Sequence, residues 1–151
     1  MLATQSRREV LRAGAVAAFV AVLAPRMSFA TPGDVEAALK KLYGSKPMNK
    51  GKISMDLPQI AENGLVVPIS VSVDSKMTAK DYVKAVHVFA DGNPLPGVVS
   101  YRFTPESGQA AANIRMRLAK TQNVVCVAEM SDGKLYSAKS EVKVTIGGCG
   151  G

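Results

Sequence analysis

Between Leu65 and Val73 an apolar side chain recurs at every second residue, Leu65, Val67, Ile69, Val71 and Val73, with Ser70 and Ser72 on the opposite face. That period belongs to a half-buried strand and cannot be laid along a helix, where buried positions recur every three or four residues. The same alternation returns in Val86 and Val88, in Val98 to Phe103, and in Ala112, Ile114, Met116 and Leu118 against Asn113, Arg115 and Arg117. Val124 to Met130, Lys134 to Ala138 and Glu141 to Ile146 read as the last strands. Glu62-Asn63-Gly64, Asp91-Gly92-Asn93-Pro94, Pro105-Glu106-Ser107-Gly108 and Asp132-Gly133 separate them with residues that tolerate a positive φ or fix one near −65°. One helical pattern precedes the strands, with Asp34 as N-cap, Val35, Ala38, Leu39 and Leu42 on one face, and Gly44 as the stop. The expected fold is all-β: seven or eight short strands in an immunoglobulin-like antiparallel β-sandwich with a short N-terminal helix, occupying residues 31–146. The chain has no tryptophan, so the likeness to antibody domains is one of architecture alone. Pro68 inside the longest alternation predicts an edge strand or a bulge, because proline cannot donate to a neighbour.

Residues 1–30 have the three parts of an export signal: paired Arg7 and Arg8, small or apolar residues from Ala13 to Ala24, and Ser28-Phe29-Ala30 before the cut. This predicts a twin-arginine signal cleaved after Ala30 and a mature protein in the bacterial periplasm. Val10 stands where such signals usually carry Phe, which keeps the general secretory route as an alternative with the same destination. Twelve apolar residues reach about 18 Å as a helix, short of the roughly 30 Å bilayer core, so no membrane association is expected once the signal is removed. The twin-arginine route carries folded cargo and would let a partner without a signal travel along. Without the signal the charge falls from +7 to +4, with 15 basic and 11 acidic residues spread along 121 positions. That is no concentrated basic footprint, and nucleic-acid binding is not expected.

Counting residues removes most catalytic chemistry. His87 is the single histidine, too few for a blue-copper centre or for catalytic zinc, and no haem-attachment Cys-x-x-Cys-His sequence occurs. It reads as a strand residue satisfied by a neighbour. The acids show no spaced pair, and no nucleotide-binding glycine loop is present. No catalytic residue, metal site or cofactor is expected. The methionines are dispersed and read as packing residues.

The C-terminus is different: Gly147-Gly148-Cys149-Gly150-Gly151 follows directly on the last strand. Four glycines around one thiol read as a flexible tether, residues 147–151, able to pass a narrow opening and to carry the sulfur about 10 Å beyond Ile146. Cys149 is the candidate attachment point, with Gly147, Gly148, Gly150 and Gly151 giving access. It resembles a miniature of the swinging arms that carry substrates between enzymes. The competing model is a periplasmic interaction module whose Cys149 makes a structural disulfide with Cys126 or an intermolecular one. A structural bridge benefits from a rigid Cβ geometry that flanking glycines withhold, and Cys126 within Val124 to Ala128 reads as a small buried apolar residue.

The GGCGG tail, with Val86-His87-Val88-Phe89-Ala90, Asn93-Pro94-Leu95-Pro96, Phe103-Thr104-Pro105 and Ala128 to Gly133, resembles the SoxY family, the sulfur carriers of periplasmic thiosulfate oxidation. The resemblance implies that a haem-containing SoxAX partner joins thiosulfate oxidatively to Cys149, giving a cysteine S-thiosulfonate. It implies a dimanganese SoxB partner that hydrolyses off sulfate and leaves a persulfide, and SoxCD as a possible further oxidant. It also implies a tight heterodimer with SoxZ, a second sandwich without its own leader. Cys126 departs from the family pattern, which needs only the terminal cysteine.

Overall fold

The structure is a computed structural model that describes residues 28–148. Residues 1–27 of the predicted export signal, and Cys149, Gly150 and Gly151 of the predicted arm, lie outside the described residues.

Helix α1 runs Pro32–Tyr43. Its N-cap is Thr31 rather than the expected Asp34, because Pro32 is pre-set for the first helical position and moves the boundary three residues forward. Asp34 instead completes a capping box: its carboxylate accepts from the Thr31 amide at 2.8 Å and the Thr31 hydroxyl at 2.7 Å. Those bonds, the side-chain one first, hold the Asp34 carboxyl below its ordinary range. Gly44, at φ 66°, ends the helix as expected.

Nine strands follow: β1 Met48–Asn49, β2 Ile53–Asp56, β3 Ile60–Asn63, β4 Val67–Val73, β5 Val83–Ala90, β6 Gly97–Arg102, β7 Ala110–Met116, β8 Gln122–Met130 and β9 Leu135–Ile146. They form two sheets, one in the order β1-β9-β8-β5-β6 with β3 also on β9, the other β2-β4-β7. Pairing is antiparallel except that β1 and β3 lie parallel to β9. The sequence reading does not assign β1, β2 or β3: β1 and β3 show no alternation, and that of β2, Ile53 and Met55 against Ser54 and Asp56, spans only four residues; it also divides β9 in two at Lys139-Ser140 where both faces are polar. Strand β4 is the middle strand of its sheet, not an edge. Pro68 is tolerated there because β2 ends at Asp56 opposite Ser70, two residues short of it, so the sheet is locally open on that side.

The inward residues of the two sheets make the main core, with Val67, Ile69, Val71, Val86, Val88, Val124, Cys126 and Val142 among its members. Fully burying a side chain of this size stabilises the fold by about 1.5–3 kcal/mol. Helix α1 covers the outer face of the larger sheet, packing Val35 and Leu39 on Phe89 and Val127. Strand β8 is therefore covered on both faces, which explains its nearly continuous burial. Among the described residues no helix is long and apolar enough to cross a membrane.

Candidate functional site

The tail leaves the body where three backbone segments meet. The Gly64 amide donates to the Ile146 carbonyl at 2.7 Å, the Leu118 amide to the Gly64 carbonyl at 2.8 Å, and the Gly148 amide to the Leu118 carbonyl at 2.9 Å. Each segment has its own reason to be there. The Gly64 turn is set by Asn63, whose side-chain oxygen accepts from the Leu65 amide at 2.8 Å. The 117–119 segment is gripped by Asn93, which donates from Nδ2 to the Arg117 carbonyl at 2.8 Å and accepts the Ala119 amide at 3.0 Å. Gln122, itself buried, donates to the same Asn93 oxygen and accepts the Gly92 amide at 2.7 Å. The third segment is the direct continuation of β9, held by β3 and β8 on either side.

Gly147 and Gly148, assigned by the sequence to a flexible arm, pack against this junction, and Gly148 is buried. A Cβ on Gly147 would overlap the Ala119 carbonyl oxygen, and one on Gly148 would overlap the Gly64 carbonyl and stand 2.6 Å from the Leu65 amide nitrogen. Neither has a positive φ, so here glycine meets a demand for space. Cys149, Gly150 and Gly151 lie outside the described residues. Around the junction Leu65, Val66 and Ile146 are exposed apolar side chains, 47%, 59% and 67% accessible. The sequence places Leu65 in β4, but the turn at Gly64 delays the strand to Val67 and leaves Leu65 outward.

Cys126 sits in the core, with Val88 and Ala138 as its register partners, and has no accessible surface. Burial pushes its thiol up to about 12, so the reactive thiolate is scarce near neutral pH. A bridge from Cys126 would require the sandwich to open. His87 is half-buried, with Nδ1 2.6 Å from the Ser100 hydroxyl and the Tyr43 ring edge-on at 5.8 Å. Burial lowers its pKa, the Arg102 charge lowers it further, and Glu129 opposes both. It is satisfied by its strand neighbour, as expected from the sequence. The Tyr43 hydroxyl beside it is pushed up to about 12, first by burial and then by Glu129. Among the described residues no three His, Cys, Asp or Glu side chains are grouped as a metal site would need. A groove of about 570 Å³ lies under α1 and is lined by residues that include Val35, Leu39, Met48 and Val125. Its β9 residues, Ser137 to Lys139, come well before the tail.

The sequence points to the tail glycines but not to Gly64, Asn93 or Gln122. Asn93 reads there as a turn former, and nothing local distinguishes a turn asparagine from one whose side chain also braces a distant loop.

Comparison with known proteins gives a match over residues 39–149 to the family described as sulfur oxidation protein SoxY. Among solved structures, the sulfur carrier protein SoxY from Chlorobium limicola f thiosulfatophilum aligns with a TM-score of 0.63 at 34% identity, over 74% of this chain and 92% of that one. The superoxide reductase (neelaredoxin) of Ignicoccus hospitalis aligns with a TM-score of 0.57 at 17% identity, over 77% of this chain and 94% of the other. That of Nanoarchaeum equitans aligns at 0.54 and 9% identity, over 64% of this chain and 100% of the other. At such identities the likeness to the reductases is one of fold alone. No curated protein matches the sequence.

Proposed function

The chain belongs to the SoxY family of sulfur oxidation proteins, and from that premise we propose that Cys149 is the covalent attachment point for sulfur intermediates which other proteins process. The observation that carries this reading is the extent of the family match, which runs to residue 149 and so includes the tail up to its thiol. The second cysteine is sealed in the core, which leaves Cys149 as the thiol suited to exchange with visiting partners.

The chemistry divides between carrier and partners. Attachment joins the Cys149 sulfur to the outer sulfur of thiosulfate: a sulfur–sulfur bond forms, the thiol proton is released, and two electrons pass to a haem-containing SoxAX partner. Hydrolysis by SoxB then breaks the bond between the sulfone sulfur and its neighbour. Water supplies the fourth oxygen of sulfate, and a persulfide stays on Cys149 for SoxCD or another acceptor. The chain itself contributes the sulfur atom, a narrow glycine tail and a body for docking; it acts as a non-catalytic subunit. Export through the twin-arginine route to the periplasm, as a folded heterodimer with SoxZ, completes the proposal. Residues 1–30 serve as its signal, residues 31–146 as the docking body and residues 147–151 as the carrier arm.

The test is intact mass before and after incubation of the heterodimer with thiosulfate and SoxAX. The expected result is a single thiosulfonate adduct that is lost in Cys149→Ser. An adduct of the same mass on the serine variant overturns the proposal.

A further inference from the structure

Gly64, Gly147 and Gly148 are three glycines whose backbones meet without a positive φ among them. Adding a Cβ to Gly64 would overlap the Leu118 carbonyl oxygen and stand 2.8 Å from the Gly148 nitrogen and 2.9 Å from Val144 Cγ1. The overlaps at Gly147 and Gly148 are with the Ala119 and Gly64 carbonyls, so each glycine removes an obstacle to the same approach. The approach is closed by hydrogen bonds in series: the Gly148 amide donates to the Leu118 carbonyl, the Leu118 amide to the Gly64 carbonyl and the Gly64 amide to the Ile146 carbonyl. Leu118 has no accessible surface, and its carbonyl is held in place through Asn93 on the residues either side of it.

We infer that Gly64 and the Leu118–Ala119 backbone form a dock for the first two residues of the tail, making Gly64 a positioning residue for Cys149. With the dock closed, the chain leaves the body at Gly148, and Cys149 is a single peptide unit from a fixed point. With it open, the chain leaves at Ile146 and the thiol gains two residues of reach, about 7 Å. Among the described residues of the tail, the closed state is held by the hydrogen bond of the Gly148 amide plus close packing. The net contribution of such a bond in water is modest, so docking to another protein can open it. The tail glycines therefore have two different tasks. Gly147 and Gly148 fit the dock, and the dock decides how far the cargo-bearing residue extends. This rests on the proposed carrier role only for the meaning of the cargo; the dock itself does not depend on it.

The test uses the full mature chain with its natural partner and needs no thiosulfate. Amide hydrogen exchange should show Gly148 slowed by about tenfold or more relative to Gly150. Gly148→Ala and Gly64→Ala should each abolish that slowing and raise the rate of Cys149 alkylation by a bulky maleimide about threefold or more, while exchange in β8 stays unchanged. Should Gly64→Ala fail to fold, Gly148→Ala decides, because the body does not depend on a side chain at that position. A Gly148 amide that exchanges as fast as Gly150, or a Gly148→Ala variant with unaltered alkylation, overturns the dock. The two ideas separate cleanly: the slowing should persist in Cys149→Ser, which cannot carry the adduct, whereas a chain with Cys149 intact that gains no thiosulfate adduct would sink the carrier reading and leave the dock standing.

Discussion

A thiol in the middle of a sandwich and a thiol next to its end face opposite demands, and Cys126 shows the first. Its accessible surface is nil and burial alone raises its pKa to about 12, so it behaves as a small apolar residue. Cys126→Ala should lower stability by about 1–2 kcal/mol through the void left behind, read as a fall in Tm, while adduct formation at Cys149 is retained. Loss of adduct formation in that variant would instead favour a dithiol mechanism. Thr31 gives a second residue-scale outcome. Removing the cap with Thr31→Ala should cost about 1 kcal/mol in denaturant unfolding, since it deletes the side-chain acceptor that Asp34 N–H uses and the donor to Asp34 Oδ2. Under the proposed cleavage after Ala30, Thr31 would be the first residue of the mature chain, so the measurement is made on a chain that begins there.

At the level of elements, the contact of α1 with β5 should be pH-sensitive through His87, which the Tyr43 ring of α1 meets edge-on. Its folded pKa lies below the ordinary 6.5, chiefly because burial disfavours the imidazolium. The unfolded chain therefore binds the proton more readily, and stability falls as pH drops through and below the unfolded value. Tm measured from about pH 8 to about pH 5 should decline, and His87→Gln should flatten that part of the decline. An identical slope in the variant would assign the acid sensitivity elsewhere. The same scale shows what the sequence can and cannot reveal. Strands β4, β5, β7 and β8 are legible because one or both faces are buried and their residues alternate or run apolar accordingly. Strands β1 and β3 are held by backbone pairing to β9, which leaves no periodic mark on side chains. Pro68 misleads for a related reason: proline reports a missing hydrogen bond, and the strand that could have received it stops two residues early.

Across the whole molecule, the proposed function divides the work between tail and body. Cys149 stands out in the sequence as the candidate attachment point because a lone thiol among four glycines has few other physical meanings. The parts that hold the tail are not legible, because Gly64, Asn93 and Leu118 come from three turns far apart in sequence and meet only through folding. The likeness to superoxide reductases is one of fold, and a shared fold carries no activity over to this chain. What the family adds is a role in sulfur oxidation; under the proposed function, partners would bring the redox and hydrolytic groups and this chain the sulfur they act on. The most direct measurement is mass spectrometry of the C-terminal peptide taken from cells oxidising thiosulfate. The account predicts Cys149 carrying thiosulfonate and persulfide in proportions that change when SoxB is removed. A C-terminal peptide found only as a disulfide, or bare under active turnover, would contradict it.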